Sequence, residues 1–271
     1  MLRIFTDTAA NIPPHLLEQY HITAMPLTYL LDGQPTELVG HDYYEAMRKG
    51  AEVKTSLVSP ALIRDTMESA LKDGDDVLYM AISGGISGTC WSAELMAEEL
   101  RGEYPDRMIR VLNTCGASLG EGLVALEAAK MLEKGCTADE IIRQAEENCG
   151  RMRQFFMVDD LKYLRRGGRI SAAAQVAGSL LKIKPILQSD PEGHIIQHSK
   201  VRGQLKAMET LAELYKEYAV DGTRTVGIAH ADCPDGALRL QAKLRDAGQT
   251  GEILSVCYEP VTGGHAVSYT H

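Results

Sequence analysis

Residues 77–89 read VLYMAISGGISGT, and this stretch decides the fold. Residues 77–82 are an unbroken apolar run, the pattern of a strand covered on both faces of a parallel sheet. Residues 83–88 are a loop of small residues, and a helix is expected over roughly 89–101. The same succession repeats at once: a strand at 108–112, a loop at 113–116, and a helix at 118–133 closed by Gly135. Thr137-Ala-Asp-Glu140 has capping-box form and opens one more helix.

Toward the N-terminus, residues 2–6 form a short apolar run ending at Asp7 and Thr8. Pro13 and Pro14 suit the first turn of a helix. Residues 25–31 read as one strand that stops at the turn pair Asp32-Gly33. A short helix is expected over 42–48, and a longer one from Ser59-Pro60 to about Asp73, with Ser59 as its cap and Gly74 ending it.

Beyond about residue 155 the texture changes. Residues 156–161 are a strand candidate, 165–171 a glycine-rich turn, and Ser171 a cap for an alanine-rich helix to 181. Residues 186–188 and 194–198 flank Asp190-Pro-Glu-Gly193, which reads as a hairpin. A helix at 204–218, a strand at 225–229, a helix at 235–246 and a strand at 252–258 complete the chain. The expectation is an α/β protein of two lobes. Residues 1–155 form a parallel-sheet βαβ domain carrying the serine loop, and 156–271 a mixed α/β domain. Ligands of such sheets sit at the carboxyl ends of the strands, so the loops after Thr6, Ile82 and Leu112 should lie together.

Bulk chemistry narrows the function. The net charge is −9, which argues against nucleic acid and against a polybasic membrane anchor. Arg165, Arg166 and Arg169 leave room only for a local basic patch. The six cysteines contain no CxxC pair, so zinc-ribbon and thioredoxin readings fail, and reduced, mostly buried thiols are expected. The N-terminus has no signal-peptide form, and no apolar run approaches the roughly 18 residues of a membrane span. A cytoplasmic protein is expected.

In the serine loop, small residues let a ligand approach the backbone. Ser83, Ser87 and Thr89 offer hydroxyls, and the helix start favours an anion. An equally good reading is a tight connection with capping serines. Ser87 lacks the last glycine of a nucleophile elbow. The first strand is followed by Thr-Asp-Thr-Ala-Ala rather than a dinucleotide fingerprint, and Lys54-Thr55-Ser56 lacks a P-loop framework. Asp7, Asp159 and Asp160 read as capping or turn residues, so no metal site and no cofactor is expected. Arg169 suits either a carboxylate or a structural pair between lobes. His265 is equally open between a structural and a functional role.

Taken together, the motifs resemble one family. They are Thr6-Asp7-Thr8, Pro26-Leu27 with Asp32-Gly33, Lys54-Thr55-Ser56 before Ser59-Pro60, and Ile82-Ser83 through Ser87-Gly88-Thr89. To these are added Leu161-Lys-Tyr-Leu164 with Gly167-Gly-Arg-Ile170, Lys184-Pro185-Ile186, and Lys200-Val-Arg202. This pattern resembles the DegV family, fatty-acid-binding proteins that serve a bacterial fatty acid kinase, over about residues 3–265.

The resemblance implies a carrier that is not an enzyme. It would hold a long-chain fatty acid in a buried tunnel and present it to a kinase subunit that supplies ATP and makes the acyl phosphate. Carried over by position, Thr55 and Ser83, with Gly84 beside them, would hold the carboxylate, and Arg169 and His265 match the family's arginine and histidine. Contact with a membrane for lipid exchange is a further expectation. Aliphatic helices at 119–132 and 171–181 would line the tail, although the same faces serve equally as plain core. The alternative is a serine esterase or acyltransferase using Ser87. Two departures stand out. Gly84 replaces the second serine usual in the family loop. His265 is followed by Ala-Val-Ser-Tyr-Thr-His271 rather than a Gly-Pro-Gly segment and final strand, so the C-terminal domain is expected to be truncated at its end.

Overall fold

The structure, a computed structural model, describes residues 1–170 and 183–266. In chain order, β1 (Leu2–Asp7) leads through a 3-10 turn to α1 (Pro14–Gln19), β2 (Thr23–Met25), β3 (Thr28–Leu31), β4 (Gln34–Pro35), α2 (Gly40–Arg48) and β5 (Val53–Ser56). There follow α3 (Pro60–Lys72), β6 (Asp76–Ala81), α4 (Thr89–Glu103), β7 (Ile109–Asn113), α5 (Leu119–Glu133) and α6 (Ala138–Arg151). The remainder is β8 (Phe155–Met157), α7 (Lys162–Arg166), β9 (Ile183–Ser189), β10 (Ile195–Arg202), α8 (Gln204–Tyr218), β11 (Val226–His230), α9 (Pro234–Asp246), β12 (Ile253–Cys257) and α10 (Pro260–Gly263). The fold class is mixed α/β with a parallel sheet in the N-terminal part, as the alternation of strand and helix signals implies. The alanine-rich helix expected over 171–181 lies outside the described residues.

The chain divides into two compact units. One takes Met1–Thr28, Thr55–Met152 and Pro191–Gly193, and the other Tyr29–Lys54, Arg153–Asp190 and the chain from His194 onward. The second unit therefore includes Tyr29–Lys54, which a single cut near residue 155 leaves out.

In the first unit β2, β1, β6 and β7 form one sheet in that order, with every pairing parallel. Residues 77–81 of β6 have no solvent exposure, because α3, α4 and α5 pack against the strand. That burial is the physical reason for the unbroken apolar run. The chain leaves β1 toward β2 on one side and later builds β6 and β7 on the other. The order reverses between β1 and β6, and the carboxyl ends of strands at such a reversal are where α/β sheets generally hold ligands. At the far end of the unit, α6 begins with a complete capping box: Thr137 accepts from the Glu140 N–H and Glu140 from the Thr137 N–H.

In the second unit β10, β9 and β8 form an antiparallel sheet, and β11 pairs with β12 in parallel. Val158, Leu161, Leu164, Ile170 and Leu187 make one apolar cluster, and Tyr43, Tyr44, Met47, Tyr163 and Ala231 another. Asp32 (φ 51°) and Gly33 (φ 77°) both take the left-handed conformation between β3 and β4, as a two-residue hairpin turn requires.

Several local expectations are corrected. The single strand over 25–31 is two strands, because Pro26 has no N–H to give to a ladder and the Leu27 N–H goes to Thr8 Oγ1 at 3.1 Å. The strand expected over 156–161 ends at Met157, and Lys162–Arg166 is a helix rather than part of a turn. Leu161 and Leu164 lie three apart and share one apolar cluster, and the Asp160 carboxylate accepts from the Lys162 N–H at 2.8 Å. Ser59 makes no side-chain cap bond; Pro60, pre-set at the first helical position, starts α3 instead. The cysteines are free thiols, but none is buried: five are half-buried and Cys257 is exposed.

Candidate functional site

Asp7, at the end of β1, is fully buried. Its carboxylate accepts from the N–H of Ala9 and from the N–H of Ile82, each at 3.0 Å. Thr114, just past β7, donates its hydroxyl to the Ala81 carbonyl at 2.8 Å. The Ser83 N–H donates to the Gly116 carbonyl at 2.8 Å. The loops after β1, β6 and β7 are thus bonded to one another at the carboxyl edge of the sheet.

Ser83 sits at the centre of this arrangement with no solvent exposure. Its hydroxyl donates to the Gly193 carbonyl at 2.8 Å and accepts from the Gly85 N–H at 3.1 Å. Its own carbonyl accepts from Ile86 and Ser87, which closes the loop into a tight turn. The Gly84 N–H donates to Asn113 Oδ1 at 3.1 Å, and the same oxygen accepts from the Cys115 N–H at 3.0 Å. A Cβ on Gly84 would stand 3.2 Å from Asn113 Nδ2 and 3.6 Å from Trp91 Nε1. A side chain at residue 84 would therefore press on the Asn113 amide, which lies against the loop.

Ser87 works at the start of α4. Its hydroxyl accepts from the Thr89 N–H at 3.2 Å and shares a 3.0 Å bond with the Thr89 hydroxyl. A nucleophilic serine needs a base at that distance. The bonds of Ser87 are those of a turn-stabilising hydroxyl. Thr89 Oγ1 in turn accepts from the Val58 N–H at 3.3 Å, and a Cβ on Gly88 would meet Leu57 Cδ2 at 3.2 Å. These contacts bring residues 57–58, just beyond half-buried Thr55 on β5, against the serine loop.

Buried acidity surrounds the sheet edge. Glu121, on α5, has no solvent exposure and accepts from Thr6 Oγ1 at 2.8 Å. Burial, reinforced by the Asp7 carboxylate, holds the Tyr79 phenol well above its ordinary range. Burial, with Glu94 and Cys115 adding to it, pushes the Cys90 thiol up to about 11, so it stays protonated at neutral pH.

Arg169 and His265 belong to the second unit. Arg169 follows Gly167 and left-handed Gly168 (φ 73°), and its Nη1 donates to the Gly167 carbonyl. His265 lies in the turn after α10, where Glu259 caps the helix through the N–H groups of Val261 and Thr262. A Cβ on Gly167 would collide with His265 Nδ1, so the imidazole rests directly on the Gly-Gly-Arg turn. Burial, and then the Arg169 charge, push His265 down to about 4. Burial also lowers the Arg169 guanidinium. A neutral imidazole beside a guanidinium offers two donors to an anionic oxygen.

Of the residues expected from sequence, the structure sets Ser83 and Gly84 on one pinned loop with the segment after Thr55 beside it, and it sets His265 beside the Arg169 turn. Asp7 has the capping role expected of it, Asp160 likewise, and Asp159 pairs with Lys184. The contributions of Asn113 and Gly193 were not anticipated. Asn113 ends a strand just before a loop, which is a detectable signal. Gly193 is distant in sequence and carries none.

The sequence matches the family described as "Uncharacterised protein, DegV family" over residues 1–268. The chain belongs to the DegV family. A DegV domain-containing protein of Clostridium perfringens is 35% identical over 269 residues, covering 97% of this chain and 92% of the relative. DegV of Bacillus subtilis, described as a fatty acid binding protein, superposes with a TM-score of 0.86 at 30% identity, over 99% of this chain and 96% of that one. A DegV family protein of Thermus thermophilus, described by its fatty acid binding, gives 0.87 at 28% identity over 98% and 96%. A DegV family protein of Ruminococcus gnavus, refined with vaccenic acid, gives 0.89 at 25% over 98% and 96%.

Proposed function

We propose that this chain binds one long-chain fatty acid without a covalent bond and presents its carboxylate to a kinase. The kinase supplies ATP and forms the acyl phosphate, and the carrier itself is not an enzyme. The observation that carries the reading is the full-length likeness to DegV proteins described as fatty acid binding. The pinned serine loop at the sheet's order reversal supports it, since that is where α/β sheets hold ligands.

In this reading Thr55 and Ser83 give hydroxyls to the carboxylate, with Gly84 beside them, its own N–H held by Asn113. Arg169 and His265 are further groups suited to an anion. Each methylene buried contributes about 0.8 kcal/mol, so a long tail binds tightly with a simple head-group site. No helix among the described residues is long and apolar enough to cross a membrane. Loading from a membrane would therefore be a transient contact at its surface.

The test is mass spectrometry of an organic extract beside the native mass. One fatty acid per chain is expected, with lower occupancy in Thr55→Val and Ser83→Ala. A well-folded protein that arrives empty and refuses added palmitate would overturn the reading. Unchanged occupancy in both variants would reject the head-group assignment alone. Incubation of the loaded protein with a fatty acid kinase and ATP, trapped with hydroxylamine, should yield the acyl hydroxamate.

A further inference from the structure

Ser83 has one hydroxyl proton, and in this structure it is given to the Gly193 carbonyl. A carboxylate bound at Ser83 needs that same proton, because a carboxylate only accepts. Resting on the fatty-acid reading above, we infer that the Gly193 carbonyl occupies the place of the acid's carboxylate at Ser83. Loading then requires the tip of the 190–194 loop to release it.

The fit of the tip is close. Gly193 takes a left-handed conformation (φ 84°). A Cβ there would collide with Ser83 Oγ and approach Cys115 Cα at 3.0 Å. A backbone carbonyl reaches a fully buried serine here only because residue 193 has no side chain. Residues Pro191–Gly193 belong to the first unit, as Ser83 does. Asp190 closes the loop from within, accepting the His194 N–H at 2.8 Å on its side chain and giving its own N–H to the His194 carbonyl at 2.9 Å. The loop keeps this internal closure when Gly193 lets go of Ser83.

Releasing Gly193 leaves the buried Ser83 hydroxyl without an acceptor, which is unfavourable until a carboxylate takes the carbonyl's place. Head-group occupancy is thereby converted into a change at a loop tip, where a binding partner can sense whether the carrier is loaded.

The experiment uses the full chain labelled with carbonyl-13C glycine and 15N histidine. Only Gly-His pairs then correlate carbonyl to amide, and the chain has three: Gly40-His41, Gly193-His194 and Gly264-His265. The Gly193 signal is the one absent from Gly193→Ala. Titration with palmitate should move it in step with the acid bound, and Ser83→Ala should show the moved position with no acid present. Stoichiometric palmitate binding that leaves the Gly193 carbonyl in place would overturn the inference while the carrier reading stands. A folded protein that binds no palmitate would overturn both. Should Gly193→Ala fail to fold, the signal is identified instead as the pair lost on His194→Gln.

Discussion

The carboxylate of Asp7 accepts the backbone N–H of Ile82 at 3.0 Å, across 75 positions of sequence. With its other oxygen it accepts the N–H of Ala9. One buried side chain therefore ends β1, shapes the turn that follows, and holds the first residue after β6 where the serine loop begins.

Replacing Asp7 with alanine should leave two buried N–H groups without acceptors. A destabilisation of about 3 kcal/mol is expected, from about 1–3 kcal/mol per unsatisfied group. Urea denaturation followed by circular dichroism measures it. A loss under about 1 kcal/mol would mean that neither bond matters to stability.

Gly263 and Gly102 should respond oppositely to alanine. A Cβ on Gly263 would overlap the Tyr44 hydroxyl and stand 2.7 Å from its Cζ, whereas a Cβ on Gly102, in α4, meets nothing within 4 Å. Gly263→Ala should destabilise by about 2 kcal/mol through overpacking. Gly102→Ala should stabilise by about 0.5–1 kcal/mol by lowering the entropy of the unfolded chain. Their melting temperatures should therefore move in opposite directions.

Thr137→Ala should cost about 1 kcal/mol by removing one half of the capping box of α6. Thr137→Ser keeps the hydroxyl oxygen and should recover most of that loss, as read from denaturation midpoints.

His265 should make the protein acid-sensitive. Its ordinary value of 6.5 falls to about 4 in the folded chain, chiefly through burial. Between those values the unfolded chain binds the proton and the folded chain does not, so its contribution is full above about 6.5 and is lost as pH falls toward about 4. His265→Gln should flatten the stability profile in that window. An unchanged slope between pH 6.5 and 4 would show that the imidazole is not held neutral.

Much of the fold was legible in advance, because its signals are local or periodic. The apolar run at 77–82 announced a doubly covered strand, and Asp32-Gly33 announced a turn. Thr137 and Glu140 announced a cap, and all three appear. The errors came where a neighbour decided the outcome. Pro26 split a strand because Thr8 was available to take the Leu27 N–H, and residues 162–166 wound into a helix because Leu161 and Leu164 had an apolar cluster to enter.

The candidate site divides along the same line. Residue chemistry alone marked Ser83, Ser87 and Thr89 as hydroxyls able to meet an anion, and Arg169 and His265 as a cation and a titratable ring; Thr55 and Gly84 entered only through the family resemblance. Hydroxyl, amide and charge are properties of the residue and are written in the sequence. Which of them are already engaged is not. The Ser83 proton is held by a carbonyl 110 positions away, the Gly84 N–H by Asn113, and the His265 ring rests on a glycine of the Arg169 turn. Hydrogen bonds and close approaches depend on distance in space, and only the folded chain brings residues so far apart in sequence within reach.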